Sequence, residues 1–200
     1  MNFKKVPGTV RFYCISNTKP MIRGSSHATG YDVAIRAIVS HEPDPHSPYR
    51  RKNEYGFDCD TTGTRPIYHN EKENRFEYVL MPGRVVTVGL GVVLGMDPGW
   101  TAFVTRRSST AINDIILPDQ VQEMMFGVPI DADFRGEPIA RLKNLGDEDF
   151  HIWQGQRLLQ LIFFDGQGKG PVIPWLYRVY NIEELGETVR GCRMHGSSGP

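Results

Sequence analysis

The chain has 200 residues, enough for one domain with a sizeable hydrophobic core. Its 23 basic and 23 acidic residues give a formal net charge of zero, which argues against a protein that coats nucleic acid or binds an anionic membrane surface. The three cysteines are far apart and form no CxxC pair, so the sequence predicts no zinc site and favours a reducing compartment.

The N-terminus and the hydropathy of the chain indicate an intracellular protein. The first ten residues, MNFKKVPGTV, lack the apolar region of a secretory signal, and no apolar run approaches the length of a membrane span. We therefore expect a soluble cytoplasmic or nuclear protein that does not contact a membrane.

Short strands separated by turns are predicted along most of the chain. The 21 glycines and 14 prolines leave little room for long helices, and the apolar residues are often β-branched or aromatic. Pro82-Gly83 and Asp97-Pro98-Gly99 are strong turn signals. The predicted strands are Val10–Ile15, Phe76–Met81, Val85–Val88, Gly91–Met96, Thr101–Thr105, Ile139–Leu142 and Leu158–Phe164.

Only two helices are predicted, and both are short. The first runs from Ser108 or Ser109 to about Ile115 with a serine as its N-cap, and the second spans Asp119–Met125. The chain is therefore predicted to be all-β, with a jelly-roll-like barrel formed by residues 1–189.

Residues 41–73 form a long polar segment with three early prolines and mixed charges. Loops of this length are uncommon in compact domains. The segment contains His41, His46, Cys59 and His69, but their irregular spacing favours solvated loop residues over a metal site.

The segment 127–136, GVPIDADFRG, carries two carboxylates two residues apart and then a bulky ring. In an extended strand Asp131 and Asp133 would share a face, and Phe134 would lie on the other. A carboxylate held beside an aromatic ring can act as a general base on a substrate whose sugar packs against that ring. The same pattern also fits an ordinary acidic turn between two strands.

Other polar residues suit phosphate binding. Arg107, Ser108 and Ser109 follow a predicted strand and open a predicted helix, a position that favours anions, although a serine cap with a surface arginine has the same pattern. Asp32 is flanked by apolar residues and is expected to be partly buried with a hydrogen-bonding partner, either a functional one or the backbone of a turn. Gln160 is a neutral donor and acceptor within an apolar strand.

Five segments, in order, resemble the five motifs of the trimeric dUTP pyrophosphatase family. That family's second to fifth motifs typically read like PRSGLA, GVIDxDYRG, GDRIAQLI and GFGSTG. The matching segments here are ATGYDV (28–33), RRSSTA (106–111), GVPIDADFRG (127–136), GQRLLQLI (155–162) and RGCRMHGSSG (190–199). The resemblance implies a homotrimer with shared active sites, dependence on Mg²⁺, and hydrolysis of dUTP to dUMP and pyrophosphate. It also makes residues 41–73 a loop insertion relative to the family.

The resemblance assigns roles to single residues. It implies that Asp131 activates the water that attacks the α-phosphorus, and that Phe134, where tyrosine is usual, packs under the deoxyribose. It places Arg107, Ser108 and Ser109 at the triphosphate.

Further roles follow from the first, fourth and fifth motifs. Asp32 would accept hydrogen bonds from waters on a phosphate-bound magnesium ion, and Gln160 would reach the α-phosphate. Residues 190–200 would form a flexible arm that closes over the nucleotide, with His195 stacked on the base. The other arm residues implied in binding, most of them at the phosphates, are Arg190, Gly196, Ser197 and Ser198.

The third motif departs from the family pattern near the base. Gly127 lies four residues before Asp131 instead of three, and Pro129 intervenes where the family reads uracil through its backbone. Selection of uracil over cytosine is therefore the least secure part of the resemblance.

Two alternatives belong to other functional classes. One is a dCTP-deaminase-like or dCTP-hydrolysing enzyme on the related fold. Deaminases place a glutamate in the strand after the third motif, whereas EPIARLKN carries Arg141 and Lys143 there, which disfavours deamination. The other is an interaction protein that acts through residues 41–73.

Overall fold

β-Strands are the main regular secondary structure of the computed structural model, which describes residues 8–16, 18–39, 43–44, 47–51, 67–112, 115–116, 129–167 and 170–192. Among these residues the only α-helix is α1 (Ser108–Ile112), and a 3-10 turn spans Ile182–Leu185. No helix in the described ranges is both long and apolar enough to cross a lipid bilayer. The described strands are, in chain order, β1 (Thr9–Cys14), β2 (Ile22–Arg23), β3 (Tyr31–Val33), β4 (Ala37–Ile38), β5 (Pro43–Asp44), β6 (Ser47–Arg51), β7 (Ile67–Asn70), β8 (Arg75–Leu80), β9 (Val85–Gly89), β10 (Val92–Gly95), β11 (Thr101–Arg106), β12 (Ile115–Ile116), β13 (Pro129–Asp131), β14 (Ile139–Asn144), β15 (Phe150–Trp153), β16 (Leu159–Phe164) and β17 (Trp175–Val179).

The strands form several small sheets around one main core. A five-stranded sheet has the order β13-β11-β16-β3-β2, and a four-stranded sheet has the order β12-β14-β9-β4. Two three-stranded sheets, β10-β1-β17 and β15-β8-β7, and the hairpin β5-β6 complete the described sheet structure. Paired strands are antiparallel except β1 and β17, which are parallel. This architecture confirms the predicted all-β, jelly-roll-like fold.

The core is built from strands whose side chains alternate between a buried and a more exposed face. Along β16, Leu159, Leu161 and Phe163 are fully buried, while the residues between them are partly exposed. Each buried side chain of this size contributes roughly 1.5–3 kcal/mol to folding. The alternation also decides where Gln160 lies, because a residue between two core leucines must point away from the core.

The predicted strands agree with the observed ones to within about two residues. The first helix is wrong at its C-terminal end: α1 stops at Ile112, and Ile115 instead enters β12, where it is fully buried and pairs with Asn144. Burial of Ile115 in a sheet outweighs the local helical pattern. The second predicted helix, residues 119–125, lies outside the described residues.

The predicted insertion is described only in part. Within residues 41–73, the structure describes the hairpin strands β5 and β6, the strand β7, which pairs with β8, and the turn residues 71–73. His69 lies in β7, whereas His41, His46 and Cys59 fall outside the described residues. The insertion and the domain boundary at residue 189 stay predictions.

A buried ion pair fixes the chain just after the third motif. Arg36 is 4% exposed and Glu137 is fully buried. The Nε and Nη2 atoms of Arg36 donate to the two carboxylate oxygens of Glu137 at 2.9 and 2.6 Å, and the backbone N–H of Gly91 donates to the same carboxylate at 2.7 Å. The Glu137 carboxylate is neutralised by Arg36 and accepts all three of these hydrogen bonds, so the pair can stay buried. The pair thereby holds the segment after Phe134 against the core.

Candidate active site

Three of the predicted site residues lie on neighbouring strands of the five-stranded sheet. Gln160 on β16 is the register partner of Asp32 on β3 and of Thr105 on β11. Asp32 is 6% exposed, and its Oδ1 atom lies 3.1 Å from Nε of Arg107, which follows β11 directly. The expected burial of Asp32 is confirmed, and its charged partner is the arginine of the second motif.

The start of α1 is tied to the turn before β16. Arg107 donates its backbone N–H to the Leu158 carbonyl at 3.1 Å and its Nη1–H to the Arg157 carbonyl at 2.7 Å. The buried hydroxyl of Thr110 also donates to the Leu158 carbonyl, at 2.7 Å. These bonds hold the second motif against the fourth. Sequence reasoning missed Thr110, and its place inside RRSSTA was the available signal.

Ser108 and Ser109 are both exposed at the start of α1. A helix of five residues aligns few peptide dipoles, so the local positive charge comes mainly from Arg107 and not from the helix terminus.

Gly30 makes room for the Gln160 side chain. A Cβ atom at Gly30 would lie 2.2 Å from Oε1 and 2.6 Å from Cδ of Gln160, closer than atoms can pack. Gln160 itself donates from Nε2 to the Arg106 carbonyl at 3.1 Å. The first motif therefore needs glycine at this position to let Gln160 lie beside Asp32.

An open cleft lies against Asp32 and Arg107. Its described lining includes the basic or ionisable side chains of Arg23, Arg107, Arg157 and His151 and a single carboxylate, Asp32, which pairs with Arg107. The remaining lining residues are Ile22, Gly24, Ser109, Thr110, Phe150, Trp153, Gly155, Gln156 and Leu158. The excess of positive groups makes this cleft suited to an anionic ligand.

The described residues contain no group of three or more His, Cys, Asp or Glu side chains that could hold a metal ion. Asp32 alone faces the cleft as a carboxylate. One carboxylate together with substrate phosphates fits magnesium, which keeps several waters and prefers phosphate oxygens to an all-protein cage.

Asp131 and its neighbours form a second group of site residues. Strand β13 ends at Asp131, and a turn follows in which the Phe134 N–H donates to the Asp131 carbonyl at 3.0 Å. Asp131 and Asp133 therefore do not lie in one extended strand, and the segment has the acidic turn that the same pattern also fits. Both carboxylates still meet at one cation, because Nη1 of Arg190 pairs with Asp131 and lies 3.6 Å from Oδ1 of Asp133.

The root of the C-terminal arm is docked on this turn. Gly191 forms a bridge with Phe134, and its carbonyl accepts the Arg135 N–H at 2.7 Å. The Thr188 hydroxyl donates to the Asp133 carbonyl at 2.5 Å and accepts the Gly191 N–H at 3.1 Å. Sequence reasoning missed Thr188 and Arg135, because neither carries a signal of this contact between distant segments.

Phe134 is 6% exposed, and the Arg190 guanidinium lies 5.6 Å from its ring centroid. The ring thus packs into the main core and also contacts the Arg190 cation. Pro129, the departure noted in the third motif, is exposed at the start of β13 opposite Phe103.

The two groups of site residues lie at opposite ends of β11. Asp131 pairs with Thr101 at one end of the strand, and Arg107 follows the other end. Six residues of extended chain separate these positions by about 20 Å. The structure therefore brings Asp32, Arg107 and Gln160 together but leaves Asp131, Phe134 and Arg190 apart from them in the same chain. His195, Gly196, Ser197 and Ser198 lie outside the described residues.

Comparisons with known proteins identify the family of this chain. A family model described as dCTP deaminase-like matches residues 28–166. A deoxyuridine 5′-triphosphate nucleotidohydrolase from Brucella melitensis is 34% identical over 125 residues, which are 62% of this chain and 70% of that protein. One from Helicobacter pylori is 32% identical over 144 residues, covering 67% of this chain and 88% of that protein.

Among solved structures, a dUTPase from Staphylococcus aureus phage phi11, with a coordinated structural Mg(II) ion, shares the fold. It has a TM-score of 0.50 and 15% identity, and the match covers 87% of this chain and 98% of that one. The chain thus belongs to the deoxyuridine 5′-triphosphate nucleotidohydrolase family, with its dCTP deaminase-like domain over residues 28–166.

Proposed function

We propose that the protein hydrolyses dUTP to dUMP and pyrophosphate, which limits uracil in DNA and supplies dUMP. The observation that carries this proposal is the meeting of Asp32, Arg107 and Gln160 on adjacent strands beside a positively charged cleft. These residues come from three of the five segments that resemble the family, and a triphosphate is the anion that such a cleft fits.

In the proposed reaction, Asp131 is the general base. A water oxygen forms a bond to the α-phosphorus and gives one proton to the Asp131 carboxylate, while the bond from the α-phosphorus to the bridging oxygen breaks and pyrophosphate leaves. Asp131 is half-exposed in the structure, with 49% of its side chain accessible, so solvent can reach it. General-base catalysis of this kind contributes roughly 10²–10⁴ in rate.

The remaining side chains neutralise charge and position the nucleotide. Arg107 supplies a fixed forked donor at the phosphates, and Gln160 lies near the α-phosphate. Asp32 would hold Mg²⁺ through water, and the bound ion would supply positive charge at the phosphate oxygens. Arg190 starts from its contacts with Asp131 and Asp133 and exchanges them for phosphate oxygens when the arm closes.

We also propose that the active sites are shared between chains of a homotrimer. Asp131 and Arg107 lie about 20 Å apart along β11, too far to act on one phosphate chain in the same protomer. A second observation supports assembly: the end strand β17 and its flanks expose apolar side chains, with Trp175 79%, Tyr177 45% and Ile173 49% accessible. An apolar end strand of this kind is usually covered by another chain.

Deamination of dCTP is the competing reaction on this fold. Strand β14 contains the basic residues Arg141 and Lys143 and no glutamate. The nearest acidic side chain, Glu137, is fully buried in its ion pair with Arg36. A carboxylate held this way cannot reach a nucleotide, which favours hydrolysis over deamination.

The deciding experiment is incubation with dUTP, dCTP and dTTP and identification of the products. We expect pyrophosphate and dUMP from dUTP. Ammonia release from dCTP would replace the proposal with deamination, and no turnover of any nucleotide would support an interaction protein. Comparison of kcat/KM for dUTP and dCTP tests the base preference around Pro129, where a ratio near one would refute uracil selection.

Sharing of the sites is tested by mixing two inactive variants, Arg107→Ala and Asp131→Asn, after joint unfolding and reassembly. Some mixed sites then take Arg107 from one chain and Asp131 from another, so part of the activity should return. Activity that stays at the level of the separate variants, or a monomer by light scattering, would refute the shared site.

A further inference from the structure

One wall of the cleft comes from a strand outside the five segments that resemble the family. Phe150, His151 and Trp153 on β15 line the cleft together with Asp32 and Arg107. His151 lines the cleft with 40% of its side chain accessible to solvent. The family resemblance assigns no role to these residues.

A buried carboxylate on the neighbouring strand holds the His151 ring. Glu77 on β8 is 3% exposed, and Nδ1 of His151 lies 2.9 Å from its Oε2 atom. Oε1 of Glu77 accepts hydrogen bonds from Nε of Arg75 at 2.8 Å and from Nδ2 of Asn70 at 3.0 Å. Burial by itself raises the pKa of Glu77, but the hydrogen bonds and the charge of Arg75 outweigh it, so the pKa lies below its ordinary value and Glu77 is ionised at neutral pH.

Arg75 and Trp153 also contact one another beside Glu77. The Arg75 guanidinium stacks 3.8 Å from the centroid of the Trp153 ring. The backbone of Trp153 on β15 pairs with that of Glu77 on β8. Since an ionised carboxylate only accepts hydrogen bonds, Nδ1 of His151 carries the hydrogen of their shared bond. Nε2 lies on the opposite edge of the ring from that bond. Residues that fix one nitrogen of a histidine in this way commonly prepare the other for a ligand.

We propose that His151, positioned by Glu77, is an additional phosphate-binding residue of the nucleotide site, and that it contacts the pyrophosphate half of the substrate. This inference rests on the proposed function of the cleft. Gln160, assigned to the α-phosphate, does not line the cleft, whereas Arg107 and His151 do. The phosphates that enter the cleft beside Arg107 and His151 are therefore the β- and γ-phosphates.

The contact consists of one hydrogen bond between Nε2 and a phosphate oxygen, with one proton between them. Either the imidazolium donates to the phosphate, or a singly protonated terminal phosphate donates to the neutral ring. No bond other than this hydrogen bond forms or breaks. His151 thus acts in binding, and the chemistry stays with Asp131.

The test measures binding of inorganic pyrophosphate to the full chain by calorimetry. In His151→Asn the amide nitrogen replaces Nδ1 and keeps the bond to Glu77, but nothing replaces Nε2. We expect a Kd about tenfold weaker, the equivalent of about 1.4 kcal/mol, as for one hydrogen bond to a charged group. In His151→Gln the amide reaches the position of Nε2, and binding should be partly restored.

The matched control is His69→Ala. His69 is an exposed histidine of the same sheet that packs on Phe76, with ring centroids 4.8 Å apart, and it does not line the cleft. Its removal should leave the pyrophosphate Kd unchanged. With dUTP as substrate, His151→Asn should raise KM about tenfold and leave kcat near the wild-type value. This is expected when the lost hydrogen bond has the same strength in the ground state and in the transition state.

A second measurement needs no variant. Pyrophosphate should protect His151 from modification by diethyl pyrocarbonate, mapped by mass spectrometry, and leave His69 equally reactive. Unchanged pyrophosphate binding in His151→Asn, equal labelling of His151 with and without pyrophosphate, or no pyrophosphate binding to the wild-type protein would each overturn this inference. A wild-type protein that binds pyrophosphate through His151 but does not turn over dUTP would refute the proposed function alone.

Discussion

Gly30→Ala is predicted to disable the site without unfolding the protein. The new Cβ atom would lie 2.2 Å from Oε1 of Gln160, whereas ordinary contact begins near 3.4 Å, so the amide must withdraw by about 1.2 Å or more. The clash involves the outer atoms of a flexible side chain, which can rotate away. The fold should lose little more than the bond from Gln160 to the Arg106 carbonyl, about 1 kcal/mol.

The effect on catalysis should be larger than the effect on stability. A displacement of about 1 Å at a positioning residue can cost roughly 10²-fold in rate, so we expect kcat/KM for dUTP to fall about a hundredfold. The control is a double-mutant cycle: in a Gln160→Ala background, Gly30→Ala should cost nothing further, because the displaced side chain is already gone. Wild-type kcat/KM in Gly30→Ala, or full additivity of the two changes, would refute this account of Gly30.

Three other predictions address the base, the arm and Glu77. Asp131→Asn should lower kcat by roughly 10²–10⁴ while dUTP still binds; near-wild-type turnover would exclude Asp131 as the base. Deletion of residues 190–200 should leave a folded oligomer with little activity, and its size and turnover are checked by light scattering and product analysis; full activity would make the segment an inert tail. Glu77→Gln should be about 2 kcal/mol less stable than wild type at pH 7, since hydrogen bonds to a charged group are lost. Because the folded-state pKa of Glu77 is lowered, this difference should shrink as pH falls below the unfolded value of about 4.5 and vanish below the folded pKa, as measured by urea unfolding at pH 7, 5 and 3; a constant difference would contradict it.

The parts of the fold that the sequence predicts are those with a local signal. Residues 158–164 are a continuous apolar run interrupted only by Gln160, which predicts a strand, and the structure has this strand as β16. Asp32 was expected to be buried because its neighbours are apolar, and it lies in β3 with both neighbours buried. These inferences succeed because apolar neighbours indicate a strand that contributes to the core without knowledge of the rest of the chain.

The parts that the sequence does not predict depend on contacts between distant segments. Arg190 meets Asp131 across 59 positions of sequence, and His151 meets Glu77 across 74. Neither pair carries a pattern that a local window can detect. The prediction of the C-terminal end of α1 is wrong for the same reason, because Ile115 pairs with a residue of the distant strand β14.

The separation of the two groups of site residues has a thermodynamic consequence for the proposed enzyme. In a shared site, one nucleotide contacts Arg107 of one chain and Asp131 of another, so it binds the assembly and not the separate chains. By thermodynamic linkage, the factor by which assembly increases the affinity for nucleotide equals the factor by which bound nucleotide increases the association constant of the chains. Arg190 adds a second coupling within one chain, because the same guanidinium contacts Asp131 in the structure and cannot at once be fully engaged with phosphate oxygens. In the proposed reaction we therefore expect closure of the arm and exposure of the base to occur in a single step, in which Arg190 leaves Asp131 as the phosphates arrive.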